Sequence, residues 1–125
     1  MLATLAQVAL GGALGACARH LTGVATRHLF GLGFPWGTLT VNIFGSALMG
    51  LLVVVLAKKG GMHLAPFLMI GVLGGFTTFS SFSLDAVALW ERGETGIAAA
   101  YVLGSVVLSI LALFAGMALM RWWLA

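Results

Sequence analysis

Four stretches of predominantly apolar residues, roughly 3–23, 35–57, 64–90 and 96–120, take up nearly the whole of this 125-residue chain. A run of about 20 apolar residues is the length that crosses the hydrocarbon core of a bilayer as a helix. The runs show no sustained alternation of apolar and polar positions, which sets them apart from the strands of a membrane barrel. With 62% hydrophobic and 7% charged residues and a mean hydropathy of +1.15, the chain lies far outside the composition of a soluble domain. The expected fold is an all-α membrane protein, one four-helix transmembrane domain over residues 1–125, with nothing left for a soluble domain. The first run lacks a basic leader and passes through GGALGACARH without a convincing cleavage site, so it is expected to stay in the mature protein as the first spanning helix. The lone cysteine, Cys17, can form neither an intrachain disulfide nor a cysteine-based zinc site, which leaves packing as its role.

The expected breaks are RHLFGLGF around 27–34, KKGGMH at 58–63 and ERGET at 91–95, each combining glycine with charge. Lys and Arg in short loops normally fix orientation, with the richer side cytoplasmic. Here Lys58, Lys59 and Arg121 fall on one side and Arg19, Arg27 and Arg92 on the other, three against three. Two readings of that balance are open: insertion in both directions with assembly as an antiparallel pair, or an orientation decided by local position or a partner. The net charge of +3, with no exposed basic domain, makes no case for nucleic-acid binding but suits anionic lipid head groups. Trp36, Trp90, Trp122 and Trp123 lie near span ends, where the amphipathic indole anchors. Gly11 with Gly15, Gly71 with Gly75, and Ser46 with Gly50 are small residues four apart, the pattern that lets helix backbones approach closely.

Polar residues inside the spans are costly in hydrocarbon and call for individual readings. Asn42, within GTLTVNIFGSALMG of the second span, either hydrogen-bonds between helices or offers an amide donor to a wet path. In the third span, GGFTTFSSFS at 74–83 holds two glycines, five hydroxyls and three phenylalanines. Poor helix formers followed by β-branched residues point to a helix break near Gly74–Thr78, against the alternative of a glycine contact surface in a continuous helix. A break would free carbonyls, which are good ligands for a hard cation such as sodium. Phe79 and Phe82 share a face, as packing or as ring edges beside hydroxyl donors along an anion path. Asp85 is the one carboxylate inside a span, and it either pairs with Arg19, helps form a vestibule, or sits near the interface. Glu91 and Glu94 are expected to be solvated, and His20, His28 and His63 lack a metal-ligand spacing. Without a Ser-His-Asp set, phosphate loop or HExxH element, the sequence disfavours an enzyme.

GGALGACARH, PWGTLTVNIFGSALMG, GGFTTFSSFSLD and YVLGS resemble, in order and spacing over essentially the whole chain, the motifs of the CrcB/Fluc fluoride channel family. The resemblance implies four-helix subunits assembled as an antiparallel, dual-topology homodimer in the cell (inner) membrane, with two fluoride pores per dimer. It implies that Asn42 is a pore asparagine, that Phe79 and Phe82 turn ring edges to fluoride, and that Thr38, Ser81, Tyr101, Ser105 and Ser109 are polar pore-lining groups. Gly74 and Thr77 match positions whose backbone carbonyls hold a structural sodium ion at the dimer axis, and Arg19 matches an arginine near a pore mouth. Ser81 stands where the family often has Thr, Asp85 where Glu is usual, and His20 where an aromatic residue is common. The implied activity is passive export of fluoride, and with it protection against fluoride toxicity. Two other classes are weighed against it. A small proton-coupled multidrug exporter needs a carboxylate in its first helix, and residues 1–26 contain neither Asp nor Glu. A non-transporting membrane scaffold would use the glycines and hydroxyls for packing alone.

Overall fold

The computed structural model describes all of residues 1–125, and the chain is helical throughout. Helix α1 spans Leu2–Phe30 and α2 spans Trp36–Lys59. After a single 3-10 turn at Met62–Leu64 comes α3, residues 66–76, a wide π-helical coil over Pro66–Leu73 that tightens into one α-turn at Gly74–Phe76. Helix α4 spans Phe79–Glu91 and α5 spans Thr95–Trp123. Four segments are long and apolar enough to cross a membrane: Leu2–Phe30, Trp36–Lys59, Met62–Glu91 and Thr95–Trp123. Each runs past the boundaries expected from hydropathy, most of all the first, which continues from Gly23 through Arg27 and His28 of the expected break. A helix need not stop where hydrocarbon ends, and this one stops at Gly31, whose φ of 81° lies in the left-handed region that glycine enters freely. Likewise α2 runs through Lys58 and Lys59 to a left-handed Gly60.

The helices pack in two pairs, α1 along α3 and α2 along α5, and glycines set the spacing in both. A Cβ placed on Gly11 would lie 2.9 Å from the Gly71 Cα, and one placed on Gly75 would lie 3.2 Å from the Ala16 nitrogen. The two small-residue pairs that the sequence offers separately, Gly11 with Gly15 and Gly71 with Gly75, are thus the two halves of one contact. In the other pair Gly50 meets the Met117 backbone and Gly116 meets the Leu51 backbone, so the partner of Gly50 is on α5, while Ser46 lies elsewhere, beside Asn42.

A small internal core of Phe82, Leu89, Ala98 and Tyr101, flanked by Phe34 and Leu39, joins α4 to α5. Only 16 of 125 residues are buried, so the apolar side chains mostly face outward, as lipid or another apolar protein surface demands and water does not. Because the chain crosses four times, Lys58, Lys59 and Arg121 gather at one end, and Arg19, Arg27 and Arg92 gather at the other with all three carboxylates.

The α1–α3 seam is directly testable. Gly15→Ala should cost about 1–3 kcal/mol of stability, because its methyl would strike the Val72 and Phe76 backbone. Gly12→Ala, one step round the helix and facing open space, should be neutral or stabilising by up to about 1 kcal/mol. Denaturant titration of the two variants in detergent measures the contrast.

Candidate pore lining at the helix break

The third span breaks at two threonines. Thr77 (φ −84°, ψ 158°) and Thr78 (φ −154°, ψ 122°) are extended, whereas Gly74 and Gly75 still belong to the last turn of α3. The polar groups this frees find specific partners. Asn42 on α2 clamps the backbone of Thr78 on either side of its Cα: its Oδ1 accepts from Thr78 N at 2.8 Å and its Nδ2 donates to Thr78 O at 3.0 Å. The Thr78 Oγ1 accepts from Ser81 N at 3.1 Å and so caps the N-terminus of α4. Arg19 reaches from α1 to donate through Nε to Gly75 O at 3.0 Å. Of the two readings open for Asn42, the structure realises the interhelical hydrogen bond, and it is made to backbone rather than to a side chain.

Two cavities meet at Thr78. The first, about 330 Å³, is a vestibule between the end of α1, the 31–38 segment and α4. Arg19, His20, Arg27, Arg92 and Asp85 line it, together with Thr38, Thr78 and Ser81. Asp85 forms no ion pair with Arg19; it accepts from the Tyr101 hydroxyl at 3.2 Å. The ion pair at this end is Arg92 with Glu94, 3.0 Å apart and half exposed. The second cavity, about 320 Å³, is a groove between α2, α4 and α5 lined by Asn42, Ser46, Phe79, Phe82, Ser105 and Ser109. The rings of Phe79 and Phe82 are 5.4 Å apart and tilted by 56°. Phe82 is buried, but Phe79 is 77% exposed and lies open at the surface of the chain. Ser105 and Ser109, four apart on one face of α5, carry buried hydroxyls that bond nothing within the chain.

The expected site residues therefore divide. Arg19, Thr38 and Ser81 fall in the vestibule, and Asn42, Phe79, Phe82, Ser105 and Ser109 fall in the groove. Tyr101 lines neither: it is fully buried, with its ring 5.3 Å from Phe82 and edge-on to Phe34 at 5.4 Å. Sequence reasoning passed over Thr78 as a site residue although it joins the two cavities. Its signal was present, a threonine immediately before a helical run with a free amide three residues on. Ser46, which the sequence offers only as a small contact residue, also lines the groove, and Gln7, which carries no sequence signal of a site, has a buried Oε1 without a partner.

The resemblance assigns a sodium ion to the Gly74 and Thr77 carbonyls, and the donor set here fits that ion. In an unbroken helix these two oxygens would accept from the amides of Thr78 and Ser81. Both amides are turned elsewhere, to Asn42 Oδ1 and Thr78 Oγ1. Two hard oxygens are thereby released at the same break.

The arrangement defines a multi-pass integral membrane protein whose third span is interrupted to form a polar vestibule and a ring-and-hydroxyl groove. Residues 6–117 match the family described as CrcB-like protein, Camphor Resistance (CrcB), and the chain belongs to that family. Over 125 residues, the full length of both chains, it is 65% identical to a protein of Cereibacter sphaeroides named fluoride-specific ion channel FluC. Proteins of the same name from Paracoccus denitrificans (58% over 118 residues, 94% of each chain) and Agrobacterium fabrum (57% over 119 residues, 94% of this chain and 95% of that one) are also similar.

Three substitutions separate the roles of the local hydrogen bonds. Thr78→Val removes the α4 cap and should cost about 1 kcal/mol. Tyr101→Phe removes the hydrogen bond to the half-buried Asp85 carboxylate and should cost about 1–2 kcal/mol, in the range for a bond to a charged acceptor. Asp85→Asn, which keeps an acceptor for the Tyr101 hydroxyl, should be milder than Tyr101→Phe in the same denaturation assay.

Proposed function

We propose that this chain is a fluoride-selective channel through which cytoplasmic fluoride leaves the cell passively, protecting it against fluoride toxicity. The observation that carries the reading is the groove, where two unsatisfied hydroxyls, Ser105 and Ser109, face the same space as the Phe79–Phe82 pair and Asn42. A small anion that gives up its water needs donors in compensation, and hydroxyls, an amide and electropositive ring edges supply them. None carries a full charge, so the anion is stabilised without being held. The arginines of the vestibule raise the local anion concentration ahead of that track. The printed name of the relatives, fluoride-specific ion channel, supports the choice of fluoride. Hydrogen fluoride crosses membranes as a neutral weak acid and dissociates in a less acidic cytoplasm, so an open path for the anion suffices for export. The protein on this reading is a channel and no enzyme.

The working unit in this reading is an antiparallel, dual-topology homodimer in the inner membrane, with two pores. The even division of cations between the two ends supports it, since it gives neither orientation an advantage. So does Phe79, which lies open in the single protomer and would gain a wall from a second copy. A sodium ion at the dimer axis, held by Gly74 and Thr77 carbonyls from both copies, completes the reading, and the exposure of Gly74 is in keeping with it.

Liposomes loaded with fluoride or with chloride test the function. Reconstituted protein should release fluoride rapidly and chloride negligibly; retention of both ions by a protein confirmed as a dimer would favour the scaffold. Phe79→Ile and Phe82→Ile should each lower fluoride flux by tenfold or more while leaving the dimer intact. Loss of a Ser105 or Ser109 hydroxyl as alanine should slow flux by about two- to tenfold, in line with roughly 0.5–1.5 kcal/mol for one neutral hydrogen bond.

A further inference from the structure

We propose that Asn42 is the positioning residue that makes the cation site: by holding the Thr78 peptide it releases the Gly74 and Thr77 carbonyls that would ligate sodium. The inference rests on the sodium reading above and adds the residue on which that site depends. Without a competitor, the Thr78 N–H would return to Gly74 O and the helix would run on through the membrane. The Asn42 amide outcompetes that bond by offering an acceptor to the N–H and a donor to the carbonyl of one residue, at 2.8 and 3.0 Å. With Thr78 pinned in the extended region, its Oγ1 is placed to take the Ser81 N–H, which would otherwise satisfy Thr77 O. The second release follows from the first. One side chain on α2, outside the third span, thereby frees both oxygens. The same helix touches the break again at Gly45, which packs against Thr77 and the Phe76 ring, so α2 fixes the break at two levels. Two bonds to Thr78 leave Asn42 one further N–H, and the residue also lines the groove. The cation site and the anion path thus share one amide.

The sequence offers a direct probe, because Thr77–Thr78 is the single Thr-Thr pair in the chain. Protein grown with threonine carrying 13C at the carbonyl and 15N at the amide gives one nitrogen-to-carbonyl correlation in solid-state NMR of proteoliposomes, Thr77 C′ to Thr78 N. Sodium titrated against a background of N-methylglucamine should move the Thr77 carbonyl in the unsubstituted protein. In Asn42→Leu, matched in size but without polar atoms, the sodium midpoint should rise about 10- to 100-fold, the usual effect of losing a group that orients a metal ligand. Asn42→Asp, which in its neutral form offers the same acceptor and donor, should restore the midpoint to within a few fold. Should Asn42→Leu fail to assemble, Asn42→Ser, too short to bridge both Thr78 atoms, replaces it with the same expectation. An unchanged midpoint in an assembled Leu or Ser variant overturns the inference and leaves the sodium reading standing. A Thr77 carbonyl indifferent to sodium in the unsubstituted protein overturns both.

Discussion

A helix that stops halfway across a membrane must replace, out of the protein itself, every hydrogen bond it gives up, since hydrocarbon offers none. In this chain the replacement is made by one asparagine on the neighbouring helix, which satisfies both backbone polar groups of a single residue, Thr78. The rest of the site follows from that pair of bonds. They hold Thr78 extended, which positions the cap that restarts the helix at Phe79. The restart sets the direction of α4, and hence where Phe79, Phe82 and Asp85 lie. Arg19 closes the account on the other side by occupying the Gly75 carbonyl at the end of α3.

The remaining architecture serves to keep the break from moving. A glycine seam brings α1 against α3 at backbone distance, while α4 packs on α5, itself held to α2 by a second seam, so the two halves of the interrupted span are gripped by different neighbours. On the far side of α4, Tyr101 ties Asp85 to the core formed with Phe34 and Phe82. Phe82 is therefore a core residue and a groove residue at once, its ring wedged against Tyr101 on one side and Phe79 on the other. An aromatic ring held this way has few ways to turn.

What was legible in the sequence tracks what is encoded locally. Four spans could be read because hydropathy over about 20 residues is a one-dimensional signal. The break could be placed within a few residues, since Gly-Gly next to Thr-Thr is a poor helix, although the extended residues are the threonines and not the glycines. The π-helical coil at Pro66–Leu73 has no such mark: PFLMIGVL reads as an ordinary apolar helix, and its width belongs to its packing against α1 around Gly71. The full role of Asn42 was hidden for a similar reason. Its partner is backbone 36 residues away, and backbone has no letter in the sequence. Tyr101 could be singled out only by resemblance, and its burial against Asp85 is a tertiary fact.

The equal count of cations at the two ends has a consequence for how such a chain can change over time. On a soluble surface, gaining or losing one lysine alters stability by no more than about 0.5 kcal/mol and is ordinarily invisible to selection. Here the tally stands at three against three, while the carboxylates that also sit at one end weigh little in the choice of orientation. On the dual-topology reading proposed above, any single Lys or Arg gained or lost near a span end makes the tally unequal and would give insertion a preferred direction. On that reading, loop positions that touch nothing would be held in check by arithmetic over the whole chain, a change at one end being neutral only when matched by a change at the other.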